Sequence, residues 1–108
     1  MGKTIHEKYA AQASIIKAMA HPTRLLIIEK LSVREHCVCE FQEMVGADMS
    51  TISKHLLVLK NAGIVVDDKR GQMVFYKLKL PCVLKFLSCV ETALHEQARA
   101  NWELVKKG

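Results

Sequence analysis

A chain of 108 residues, 50% apolar and 25% charged, is long enough for one core and too apolar to be disordered. Its formal net charge of +5 favours anionic partners, although charge alone identifies none of them. No stretch reaches the roughly 20 apolar residues that cross a bilayer, and the start Met1-Gly-Lys-Thr-Ile-His lacks an apolar signal core, so a cytoplasmic protein without a membrane partner is expected. In that reducing compartment the four cysteines are expected to be ligands, reactive thiols or core filler, not a disulfide frame.

No repeat, low-complexity tract or linker divides the sequence, so residues 1–108 are read as a single domain. A first helix, about 4–19, places Ile5, Tyr9, Ile15, Ile16 and Met19 on one face. Ala20-His21-Pro22-Thr23 interrupts it, and Pro22 suits the first turn of a short second helix that continues from Arg24 to Leu31. After a polar stretch, a third helix runs from about Cys39 to Val45. Gly46 can take the positive φ that ends it. A fourth helix opens at Met49 or Ser50 and stops before Gly63, which gives a helix-turn-helix over about 39–62.

The period then changes. Ile64-Val65-Val66 and Gln72 to Leu78 are rich in β-branched and aromatic residues, with Asp67 to Gly71 as the turn, so a hairpin is expected over about 64–79. Pro81 restarts a helix that lasts to about Val105 and carries Val83, Phe86, Leu87, Val90 and Leu94 on its apolar face. The predicted fold is mostly α with a β-hairpin wing. Its order, α-α-α-α-β-β-α, is that of a winged helix-turn-helix with one extra helix at each end.

At about 100° per residue, Ile52, Leu56 and Leu59 of the fourth helix form a buried stripe. Ser50, Ser53, Lys54 and Asn61 point away from it, and Thr51 lies near the helix start. Small hydroxyls and a cation at that end reach base edges and phosphates without bulk, which suits a helix in the major groove of double-stranded DNA. A plain solvated helix face would look similar. The hairpin decides between them, because Lys69, Arg70 and Gln72 at its tip flank the helix and can contact phosphate or the minor groove. Asp67 and Asp68 repel phosphate, so only the tip should approach DNA.

Cys37 and Cys39 stand just before the third helix. On a regular helix they would point about 200° apart, whereas extended backbone puts i and i+2 on one face and lets two sulfurs converge. A helix N-terminus lowers a thiol's pKa, and thiolates select soft ions over magnesium or calcium. An ion held by both sulfurs would compete with the first turn of the third helix.

Three segments together resemble the ArsR/SmtB family of metalloregulatory repressors: Ala20-His-Pro-Thr-Arg-Leu, Cys37-Val-Cys39, and Ser50-Thr-Ile-Ser-Lys-His-Leu-Leu-Val-Leu-Lys-Asn-Ala-Gly. The Arg70-Gly71-Gln72 wing and Tyr76 fit the same pattern, and the likeness covers about residues 10–80. The resemblance implies a homodimer through the first and last helices, about 4–19 and 81–105. It also implies an operator read by Ser50, Thr51, Ser53 and Lys54, with no cofactor needed for DNA binding. For the Cys-Val-Cys branch it implies release by arsenite or antimonite at Cys37 and Cys39, or by cadmium or lead in a related branch. Arsenite-type members often hold a third cysteine three positions on, where this chain has Gln42. The remaining candidates for a third ligand are Cys82, Cys89, His36, His6 of the partner subunit, or a solvent oxygen.

Cys82 and Cys89 lie two turns, or roughly 10 Å, apart on the last helix, too far to share one ion, and fit better as packing residues in a dimer seam. His95 with Glu91 faintly resembles a zinc site but is also an ordinary helix-surface pair. His21 is expected to cap or pack at a helix junction, and His55 to border the core. Three rival readings remain at this stage: a repressor sensing thiol oxidation or persulfide, a thiol oxidoreductase, and a protein-interaction module. The oxidoreductase lacks its usual Cys-x-x-Cys spacing. The interaction module leaves the hydroxyl-rich helix and basic wing unexplained.

Overall fold

The computed structural model describes the backbone of residues 2–107 and the side chains of residues 5–107. In chain order the elements are α1 (Gly2–Met19), α2 (Pro22–Val33), β1 (His36–Cys37), α3 (Val38–Val45), α4 (Met49–Asn61), β2 (Val65–Arg70), β3 (Met73–Leu78) and α5 (Val83–Lys107). All five helices and the hairpin are where the residue pattern puts them. The terminal residues of the expected 1–108 domain, Met1 and Gly108, lie outside the description.

Four details correct the sequence reading. A third strand, β1, pairs antiparallel with β3, His36 opposite Tyr76 and Cys37 opposite Phe75, giving the sheet order β1-β3-β2. Two residues are too few to show a period, so β1 could not be read from alternation. Asp67 to Arg70, expected in the turn, instead continue β2: Asp68 lies opposite Phe75 and Arg70 opposite Met73, so the reversal narrows to Gly71-Gln72. Cross-strand pairing with an aromatic, β-branched strand overrides the weak strand propensity of the two aspartates. The third helix starts at Val38, not Cys39. The last starts at Val83, because Pro81 and Cys82 form a turn in which the Leu84 amide donates to the Pro81 carbonyl at 3.1 Å.

The core joins α2, α3, α4 and the sheet. Ile27 and Ile28 of α2, Phe41 of α3, Ile52, Leu56 and Leu59 of α4, and Ile64 before β2 are fully buried. The α4 stripe is the one its helical spacing dictates. By contrast Ile5, Tyr9 and Ile16 of α1, and Phe86, Val90, Leu94 and Trp102 of α5, are exposed in the single chain. Among the described residues no helix is long and apolar enough to cross a membrane.

Two caps fix the helix-turn-helix. Gly46 ends α3 at φ 74°, its amide donating to the Gln42 carbonyl at 2.8 Å. Asp48 opens α4, its Oδ1 accepting from the Thr51 amide at 2.8 Å. A methyl group at Gly46 would meet nothing within 4 Å. Gly46→Ala is therefore expected to cost about 1–2 kcal/mol from the left-handed backbone alone, seen as a lower urea midpoint with an unchanged slope.

Candidate functional site

The exposed N-terminal turns of α4 carry Ser50, Thr51, Ser53 and Lys54 on the side opposite the buried stripe. They are held there by Ile52, Leu56 and Leu59 beneath and by the Asp48 cap, whose carboxyl the Thr51 amide holds below the usual range. On the wing, Lys69 and Gln72 are exposed beside the Gly71 reversal. The helix N-terminus and the wing thus form one polar edge.

Arg70 is also on this edge, but its guanidinium is occupied. Nη1 and Nη2 donate to the two carboxylate oxygens of Glu35 at 2.6 and 2.9 Å, and Nε donates to Asp68 Oδ2 at 3.0 Å. The same group stacks 4.6 Å from the centroid of Phe75. The Glu35 carboxyl is held below its usual range, chiefly by the hydrogen bonds from Arg70. A partner 35 residues away leaves no trace in a local pattern, and the sequence reading missed it.

Cys37 and Cys39 come together, their Cα atoms 5.5 Å apart and their sulfurs joined in a disulfide. Their convergence follows from the extended backbone at Cys37 (φ −91°, ψ 165°), the residue that precedes α3. One expectation is corrected here: the thiols are paired with each other, not free. The first turn of α3 is formed beside the closed pair. Cys37 is 3% exposed and Cys39 is open to solvent. Above them lies a cleft of about 280 Å³ whose walls include Met49 and Ser53 of α4 and Gln72 and Tyr76 of the wing. The sulfur pair therefore borders both parts of the polar edge.

Charges fix this corner from the other side. Glu40 accepts from Arg34 Nη2 at 2.8 Å, from His36 Nδ1, and from the Cys37 amide at 3.4 Å. The hydrogen bond from Arg34, helped by His36 and the Cys37 amide, outweighs desolvation and holds the Glu40 carboxyl down at about 2. His36 is buried with its Nδ1 committed to Glu40, which removes that nitrogen from the candidates for a third ligand. Cys82 and Cys89 are both free and exposed. His95 Nε2 lies 3.7 Å from Glu91 on an exposed surface. Among the described residues no group of three or more histidine, cysteine, aspartate and glutamate side chains gathers where it could hold a metal ion.

His21 caps α2, its Nδ1 accepting from the Thr23 amide at 3.1 Å, and its ring lies 4.4 Å from that of half-buried His55. Burial, with His21 and Arg24 nearby, lowers the His55 pKa from 6.5. A base with a depressed folded-state pKa stabilises the fold above 6.5 and loses that contribution as pH falls through its lowered value. Glu40 does the same lower down, fully stabilising above its ordinary 4.5 and losing that contribution towards about 2. The urea midpoint is accordingly expected to fall in two limbs on acidification. His55→Gln should flatten the limb below pH 6.5, and Glu40→Gln the limb below pH 4.5. Parallel curves for a variant and the wild type would refute its assignment.

Comparison with known proteins gives concordant matches. The model of the family described as "Bacterial regulatory protein, arsR family" matches residues 21–66. An HTH-type transcriptional regulator of Methanocaldococcus jannaschii is 44% identical over 71 residues, 65% of this chain and 80% of that protein. A cadmium resistance transcriptional regulatory protein CadC homolog of Staphylococcus aureus is 39% identical over 67 residues, 61% of this chain but only 55% of that longer protein. The solution structure of a homodimeric winged helix-turn-helix DNA-binding domain from Mycobacterium bovis, a possible ArsR-family regulator, superposes with a TM-score of 0.74 at 25% identity. The superposition covers 86% of each chain.

Proposed function

From the premise that this chain belongs to the arsR family of bacterial regulatory proteins, we propose that it is a cytoplasmic homodimeric repressor released from operator DNA when arsenite or antimonite bridges Cys37 and Cys39. Membership makes it a DNA-binding transcriptional regulator and sets aside the oxidoreductase reading of the thiol pair. The helix-turn-helix over about 39–62 reads the operator through Ser50, Thr51, Ser53 and Lys54, while the wing over about 64–79 offers Lys69, Arg70 and Gln72 to the backbone. The exposed apolar residues of α1 and α5 supply the dimer seam, in keeping with the homodimeric M. bovis domain.

The observation that carries the inducer assignment is the meeting of the two sulfurs beneath a cleft shared with Ser53 and Gln72. Two thiols displace two waters from arsenous acid and leave one hydroxyl on arsenic, so a pair of sulfurs suffices without a third protein ligand. Arsenic seated there fills the space between α4 and the wing and changes their spacing against the DNA. Cadmium or lead remains the alternative ion, supported by the likeness to the CadC homolog. A second reading has its own observation, the Cys37–Cys39 disulfide. Here two thiols surrender two protons and two electrons to an oxidant such as a hydroperoxide, and the closed pair is the released state.

Fluorescence anisotropy on labelled DNA from upstream of the protein's own gene tests both. Arsenite added under a phosphine reductant is expected to release the DNA at micromolar concentration. Tight binding that arsenite leaves untouched but peroxide abolishes would replace the first reading with the second.

A further inference from the structure

We propose that Glu35 is a positioning residue for DNA contact, a built-in carboxylate that holds the wing's Arg70 against the thiol strand and competes with DNA phosphate for it. The inference rests on the DNA-binding reading above, though not on the identity of the inducer. Its basis is the forked pairing of both Arg70 terminal nitrogens with both Glu35 oxygens, at 2.6 and 2.9 Å. That is the geometry in which a guanidinium holds a phosphate. Glu35 thus fills, within the chain, the place a backbone phosphate would take.

The surroundings fit a part that changes partners. Asp68 holds Arg70 at Nε, and Phe75 lies against the guanidinium face, so the fork stays aimed while its two outer nitrogens are exchanged. Both members of the pair are partly solvated, with side-chain exposures of 42% for Arg70 and 32% for Glu35. Because both partners are partly solvated, a phosphate of equal fork geometry can compete with Glu35, and water can take the freed carboxylate. Lys77 Nζ, 4.0 Å from Glu35, also remains to face that carboxylate once Arg70 has left.

Position gives the exchange its meaning. Glu35 precedes Cys37 by two residues, and Phe75, under the Arg70 guanidinium, is the register partner of Cys37 across β1 and β3. The Arg70 fork therefore stacks on the residue directly across the sheet from Cys37. Arg70 is held by Glu35 in the structure whose sulfurs are closed on each other. When the repressor is seated, Arg70 is shared between Glu35 and a backbone phosphate.

The test compares Glu35→Gln with Glu43→Gln on the reduced protein without arsenite, measuring affinity for the upstream DNA across a salt series. Glu43 is an exposed glutamate of α3, so its variant removes the same charge without touching Arg70. Glu35→Gln is expected to bind about two- to fivefold more tightly and to steepen the dependence of log K on log salt by up to about 0.9, one extra phosphate contact. Adding Arg70→Ala should erase both gains. Equal gains in Glu43→Gln, an unchanged salt slope in Glu35→Gln, or gains that survive Arg70→Ala would each overturn the proposal. A wild-type chain that binds no DNA would overturn this inference together with the DNA reading, whereas arsenite-insensitive DNA binding would overturn only the inducer.

Discussion

Phe41→Ala is expected to remove about 3–5 kcal/mol of folding stability, a large share of the roughly 5–15 kcal/mol that holds a domain of this kind together. Phe41 is 0% exposed and belongs to the core cluster, with Ile27, Ile28, Ile52, Leu56 and Leu59. It is the sole fully buried residue of α3, flanked by half-buried Val38 and Val45, so it is the main anchor of that eight-residue helix. That ring lies 5.3 Å from the imidazole of His36, which is itself buried and bonded to Glu40. Truncation therefore opens a cavity beneath α3 and beside the strand that carries Cys37. Short helices owe most of their stability to such tertiary anchoring, and α3 has little of its own to fall back on. Equilibrium urea unfolding, at a fixed protein concentration because the chain is proposed to dimerise, gives the number. A loss below about 1 kcal/mol would mean that the site collapses around the gap and that α3 is held from elsewhere.

The elements that were legible in the sequence are those whose information is local. The α4 stripe of Ile52, Leu56 and Leu59 repeats at helical spacing, Gly46 and Gly63 mark helix ends, and the aromatic, β-branched run before Leu78 announces a strand. The convergence of Cys37 and Cys39 was also legible, because two positions apart on extended backbone is a statement about one face. What escaped is held by long-range terms. His36-Cys37 becomes a strand only because β3 is there to receive it, and Asp67-Asp68 remain in β2 because their partners across the ladder include Tyr76 and Phe75. The Glu35–Arg70 fork joins residues with no periodic relation at all. Arg70 looked free for DNA in the sequence and is engaged in the structure. Local pattern names the side chains that can meet a phosphate; only the fold shows which of them already has a partner.

Cys37→Ser and Cys39→Ser are each expected to abolish release by arsenite while leaving DNA affinity close to that of the wild type. Serine suits both positions. At 37 it replaces the residue that caps α3, where a hydroxyl is a better acceptor for a helix amide than a thiol. At 39 it lies in the exposed first turn. Folding and the α4 surface are therefore preserved, and a lost response reports on sulfur. One sulfur can still reach arsenic, but it forfeits the second, intramolecular bond that makes the pair a chelate. The expected cost is at least about a hundredfold in the arsenite concentration for half release. The double variant should lose even that residual response, since no sulfur remains in the cleft. Under the disulfide reading the same variants lose their response to peroxide, so the pair of titrations identifies the signal as well as the site. Wild-type arsenite release from Cys37→Ser would move the sensor away from this cleft, and exposed Cys82 and Cys89 would be the next to replace.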